Sequence, residues 1–127
     1  MPRNTARKAV IERPEPSLIA GNVKIRDRRT SVRLEPEMWS ALREIAERED
    51  VTIHDVCTIV DECKLDGESF SSSLRVFLLK YYRQAARGRK RAALAMASEK
   101  EQALWLAARA ANEERNRREG QDARSEH

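Results

Sequence analysis

Three groups of side chains have the chemistry to act. His54, Cys57 and Asp61 follow one another at spacings of three and four residues, with Cys63 close behind. On a helix this is a conceivable metal cluster. A structural zinc site takes four ligands in recognised spacings, often from paired cysteines, and no second cluster completes this one. Cys57 falls on an apolar stripe and reads as a small hydrophobe. No metal or other cofactor is therefore expected. Ser71, Ser72 and Ser73 are candidate nucleophiles, but His54 and His127 are the only histidines, and neither stands near them in sequence. Capping of a helix is the role these serines suit. With no glycine-rich phosphate loop and no H-E-x-x-H pattern, the chain is read as a non-enzyme.

The third group is cationic. The net charge is only +4, yet it is unevenly spread. Up to Arg33, the basic residues Arg3, Arg7, Lys8, Arg13, Lys24, Arg26, Arg28, Arg29 and Arg33 face only Glu12, Glu15 and Asp27. Between Arg75 and Arg91 there are bases and no acid, while Glu35 to Glu68 is strongly acidic. Two basic blocks around an acidic one imply a polyanionic partner. Solvated surface charge is the competing explanation for the N-terminal block.

The elements that position these groups follow from periodicity. Residues 1–27 contain Pro2, Pro14 and Pro16 and no sustained apolar period, and read as a flexible basic arm. Thr30, Val32 and Leu34 alternate with Arg29, Ser31 and Arg33, a period of two that predicts one short strand. A strand this short needs a partner. With no second candidate nearby, the simplest partner is the same strand of a second copy. Pro36 and Glu37 suit the first turn of a helix running to about Arg48, with Met38, Leu42, Ile45 and Ala46 on one face. Glu49-Asp50 makes a tight connection. Thr52 and Asp55 form a capping-box pattern for a second helix carrying Ile53, Val56, Cys57 and Val60 and stopping near Asp66-Gly67. A third helix begins in the serines and shows Leu74, Phe77, Leu78 and Tyr81 at helical spacing, fraying near Gly88. From about Arg89 to Arg118 the chain is alanine-rich and without a breaker, which predicts one more helix with a weak stripe of Leu94, Ala97, Leu104, Ala108 and Ala111. The last residues read as disordered. Cys57 and Cys63, six apart on one helix, point in different directions and are expected as reduced thiols of a cytoplasmic protein. No apolar run is long enough to cross a bilayer.

One alternating strand, an E-P-E helix start, an amphipathic helix, a tight turn and a second amphipathic helix occur in order in RRTSVRLEPEMWSALREIAEREDVTIHDVCTIVDE, Arg28 to Glu62. This stretch resembles the ribbon-helix-helix DNA-binding family of the Arc and MetJ type. The downstream GESFSSSLRVFLLKYYR, Gly67 to Arg83, is similar to the extra helix of a small bacterial subfamily. The resemblance implies a mainly α fold with one short β-strand, a ribbon-helix-helix dimer with additional C-terminal helices. It implies a ribbon laid in the DNA major groove. Arg29, Ser31 and Arg33 then face base edges, where arginine can fork onto the O6 and N7 of guanine. Thr52 and Ile53 at the second helix N-terminus, with Arg26 and Arg28, then meet phosphates. Val32, Leu34, Met38, Leu42, Ile45, Val56 and Val60 form the dimer core. The family often has glycine before the second helix, where this chain has Asp50, a residue that tolerates the left-handed conformation.

The expected organisation is a basic arm over 1–27, a ribbon-helix-helix domain with its third helix over 28–86, and a basic, alanine-rich helical extension with a disordered end over 87–127. The expected function is that of a bacterial or mobile-element transcriptional repressor, acting on double-stranded DNA as a homodimer or a higher assembly. Two alternatives stand beside it: an antitoxin or adaptor whose C-terminal helix binds a protein partner, and a nucleoid-coating protein without sequence preference.

Overall fold

The alternation that ends at Leu34 does form a strand, but its partner lies in the same chain. The computed structural model describes residues 18–125. Strand β1 (Ile19–Ile25) pairs antiparallel with β2 (Arg28–Leu34) from Ile19 opposite Leu34 to Ile25 opposite Arg28. The expectation of a single strand is thereby corrected, and β1 lies within the stretch 1–27 expected as a flexible arm. The hairpin turn is Arg26-Asp27, and Arg26 takes a positive φ of 57°. Two-residue turns need such a conformation, and the usual signal for one, Asn-Gly or Asp-Gly, is missing here. Contacts to the second helix hold the strained arginine instead. Its backbone N–H donates to Thr58 Oγ1 (3.2 Å), and its guanidinium Nε donates to Glu62 Oε1 (2.8 Å).

Helix α1 (Pro36–Glu49) starts with proline at its first position, as read. Glu35, just before it, leaves the helix end uncapped by its side chain and accepts from Arg75 Nη2 at 2.9 Å. Asp50 closes α1 in the left-handed region, φ 57° and ψ 44°. Helix α2 (Ile53–Cys63) has the full capping box: Thr52 Oγ1 accepts from the Asp55 amide, and Asp55 Oδ2 accepts from the Thr52 amide, both at 3.0 Å. It ends at Cys63, a few residues before Gly67, which has a positive φ. Helix α3 (Phe70–Ala86) is capped by Ser69 Oγ, which accepts from the Ser72 amide.

The alanine-rich segment is broken where continuous helix was expected. Helix α4 (Ala92–Met96) stops, Ala97 is extended, and α5 (Glu99–Ser125) begins. Ser98 Oγ accepts from the Glu101 amide, and Gln102 Nε2 donates to the carbonyls of Leu94 and Ala97. Polar side chains thus satisfy both free helix ends at the break. After the break Trp105, which is not on the weak stripe, enters the core, where it is fully buried and stacks on Phe77 at 5.9 Å between centroids. The helix continues to Ser125, into the stretch read as a disordered end.

One apolar core joins all seven elements. Val23, Ile25, Val32 and Leu34 close it from the hairpin side, and Leu42, Ile45, Val56 and Val60 from the helices. The residues expected to bury against a second copy are therefore buried within the chain, with Met38 half-buried at its margin. Among the described residues, no helix is long and apolar enough to cross a membrane.

Candidate nucleic-acid interface

The hairpin has two faces because strand side chains alternate. Val23, Ile25, Val32 and Leu34 point into the core, with Thr30 half-buried beside them. The opposite face is formed by three cross-strand pairs: Ala20 opposite Arg33, Asn22 opposite Ser31, and Lys24 opposite Arg29. All six are exposed. The face is polar and cationic, with forked donors at both ends of β2. Half of it, from Ala20, Asn22 and Lys24, was not identified from sequence. The signal was there: Ile19, Gly21, Val23 and Ile25 alternate, but glycine interrupts the apolar set.

Gly21 is required by its neighbour. Trp39 of α1 lies across β1, its Nε1 donating to the Ile19 carbonyl at 2.8 Å. A Cβ on Gly21 would stand 2.6 Å from Trp39 Cζ2 and 2.7 Å from Cη2. Gly21→Ala is therefore expected to destabilise the protein by about 1–3 kcal/mol through overpacking. Urea unfolding checks it. A midpoint equal to that of the parent protein would mean that the indole moves aside freely.

The hairpin is fixed to α2 along the outer edge of β1. The Lys24 amide donates to His54 Nδ1 at 2.9 Å, and the Arg26 amide to Thr58 Oγ1. The first turn of α2 therefore abuts the ribbon. Of the four residues expected to meet phosphates, Arg28 is exposed at the turn and Arg26 is in an ion pair with Glu62. Thr52 has its hydroxyl and its amide engaged in the capping box. Ile53 keeps a backbone N–H that no acceptor within its own helix can reach. The basic block from Arg87 to Arg91 is exposed. Arg75 is beside Glu35 at the end of β2, and Arg87 follows roughly 18 Å further along α3 at 1.5 Å per residue. The basic residues Arg3, Arg7, Lys8 and Arg13 lie outside the described residues.

Burial raises the Cys57 thiol from 9.0 to about 12. Desolvation, with Glu101 beside it, raises Cys63 to about 11. Both thiols are protonated at neutral pH, which makes them weak nucleophiles and weak metal ligands. Ser73 Oγ donates to Glu68 Oε2. No cluster of three or more histidine, cysteine or acidic residues that could hold a metal is found among the described residues.

The family model of the ribbon-helix-helix domain matches residues 18–82, a little over half of the chain. No curated protein and no solved structure matched. The matched span begins with β1 and ends within α3, so it takes in the whole hairpin, both helices after it and most of the third. On that match, supported by the order strand, helix, tight turn and helix, the chain belongs to the ribbon-helix-helix family, whose members are DNA-binding regulators.

Proposed function

We propose that this protein is a sequence-specific DNA-binding repressor that lays the outward face of its own β-hairpin in the major groove. The observation that carries the reading is the exposed face of Asn22, Lys24, Arg29, Ser31 and Arg33, backed by a closed apolar core. The major groove admits a two-stranded ribbon, and one chain supplies both strands. Arg29 and Arg33 are the base readers, each fork contributing about 1–3 kcal/mol of discrimination. Ser31 and Asn22, directly opposite each other, donate or accept between them. A homodimer on DNA then consists of two copies on neighbouring half-sites, each with its own ribbon.

Selection from a pool of random duplexes at near-physiological salt tests this. The intact protein is expected to enrich a short motif. Changing Arg29 and Arg33 together to alanine should flatten preference for that motif by roughly tenfold to a hundredfold per position read, following the fork energies. If the variant instead loses affinity equally on every sequence, the ribbon is not reading bases and the protein coats DNA without preference.

A further inference from the structure

Where β1 meets the first turn of α2, the surface dips into a cavity of about 270 Å³ lined by Asn22, Val23, Lys24, Arg29 and His54. Three of its side chains, Lys24, Arg29 and His54, can donate into it, and Asn22 can donate or accept. Lys24 and Arg29 are directly opposite in the hairpin register, an arrangement in which like charges repel. Among the described residues, neither takes part in an ion pair, although Arg26, Arg75, Arg109 and Arg115 do. No carboxylate lines the cavity. The hydrogen bond from the Lys24 amide makes His54 Nδ1 an acceptor, so the neutral ring carries its proton on Nε2. One hydrogen bond therefore both ties β1 to α2 and fixes His54 as a donor on its other nitrogen. Asn22 adds an amide. The N-terminal end of α2 adds its dipole.

We propose that this cavity is a binding pocket for a phosphate group, with Lys24, Arg29 and the Nε2–H of His54 as its donors and the DNA backbone as its source. The source rests on the DNA-reading function above; the pocket itself does not. It places the phosphate contact on β1 and His54, residues to which the sequence reading gave no such role. A tetrahedral oxyanion seated there would remove the repulsion across the Lys24–Arg29 pair and accept from three kinds of donor at once. Arg29 has five N–H donors, so its Nε–H serves the phosphate while its Nη pair keeps the fork for a base edge, and Arg33, opposite Ala20, gives its whole fork to a base.

The test uses the full-length protein in two arms. In the first, inorganic phosphate is titrated at constant ionic strength, with chloride as the control, while the His54 ring nitrogens and the Lys24 amide are followed by nitrogen-15 NMR. Phosphate is expected to shift both signals saturably, and Lys24→Gln to abolish the response. His54→Asn keeps an acceptor near the Nδ1 position and deletes the Nε2 donor. It should retain the parent unfolding midpoint and still weaken the phosphate response. In the second arm, single phosphates of the selected duplex are replaced by uncharged methylphosphonates. One position should cost the parent protein roughly tenfold in affinity and cost Lys24→Gln nothing. Lys24→Gln should also lower the salt slope by about one.

That coupling at one position supports the proposal even if free phosphate binds too weakly to be seen. A response to inorganic phosphate without any such position overturns the DNA source and leaves a pocket for a free phosphate compound. Silence in both arms overturns the pocket. If no duplex is selected at all, the DNA-reading function falls and the phosphate arm alone decides the pocket.

Discussion

Arg109→Ala is expected to destabilise the protein by about 3–5 kcal/mol, the range for stranding one partner of a buried ion pair. Glu49 is 0% exposed and Arg109 12%. The guanidinium donates twice to Glu49, from Nε to its carbonyl at 3.1 Å and from Nη2 to its Oε1 at 3.2 Å. The second carboxylate oxygen accepts from Tyr81 at 2.7 Å. Burial, and then this bond to Glu49, push the tyrosine hydroxyl well above its ordinary range, so it stays a donor. Asn112, one turn further along α5, donates to the Asp50 carbonyl at 2.9 Å. Two side chains of α5 thus bond the C-terminal carbonyls of α1, where a cation is also favoured by the helix dipole. The check is urea unfolding of the variant with and without Glu49→Gln, which keeps an acceptor for Tyr81 and removes the charge. Arg109→Ala should cost at least about 1 kcal/mol less in that background, within the usual range of coupling between contacting groups. Equal losses in both backgrounds would show that Arg109 acts through packing and its carbonyl bond alone.

Trp105→Ala is expected to cost about 3–5 kcal/mol as well, by a different mechanism. The indole is fully buried and stacks on Phe77 with 17° between the ring planes. Removing it leaves a cavity at the junction of α3 and α5. Trp105→Phe makes the mechanism visible. The indole Nε1 has no hydrogen-bond partner among the described residues, and a buried orphan donor costs about 1–3 kcal/mol. Phenylalanine deletes that donor and keeps a ring against Phe77, leaving a smaller cavity, so its net loss should be at least about 1 kcal/mol less than that of Trp105→Ala. A loss in Trp105→Phe as large as in Trp105→Ala would mean that the exact volume of the indole, and not an aromatic contact, holds α5 in place.

Both predictions concern the part of the chain that sequence described least well. The alanine content of residues 92–111 announces helix and says nothing of where the helix packs. Alanine favours helix without marking a face, and the stripe read from Leu94 to Ala111 left out the tryptophan that matters most. Nothing in the residues around Arg109 distinguishes it from the other cations of α5. Its role depends on Glu49, sixty residues away, and no local pattern announces a pairing of that kind. The same holds at the ribbon. The reason for Gly21, the Trp39 ring, belongs to another element. The partner of His54 is a backbone amide on β1, which no spacing on α2 announces.

From Arg28 to Arg83 the order of the elements and their inner faces are legible in local residue patterns. The two-residue period of β2, the proline start of α1, the capping box of Thr52 and Asp55, and the serine cap and stripe of α3 are all local signals, and all appear in the structure. Each works because backbone dihedrals and side-chain spacing within a few residues already favour one conformation. The tertiary structure alone decided the partner of β2, the course of α5 and the company of Lys24, Arg29 and His54. Strand pairing, the burial of a charge and the closing of a pocket all join residues distant in the chain. Their free energies exist only once the apolar core has brought those residues together.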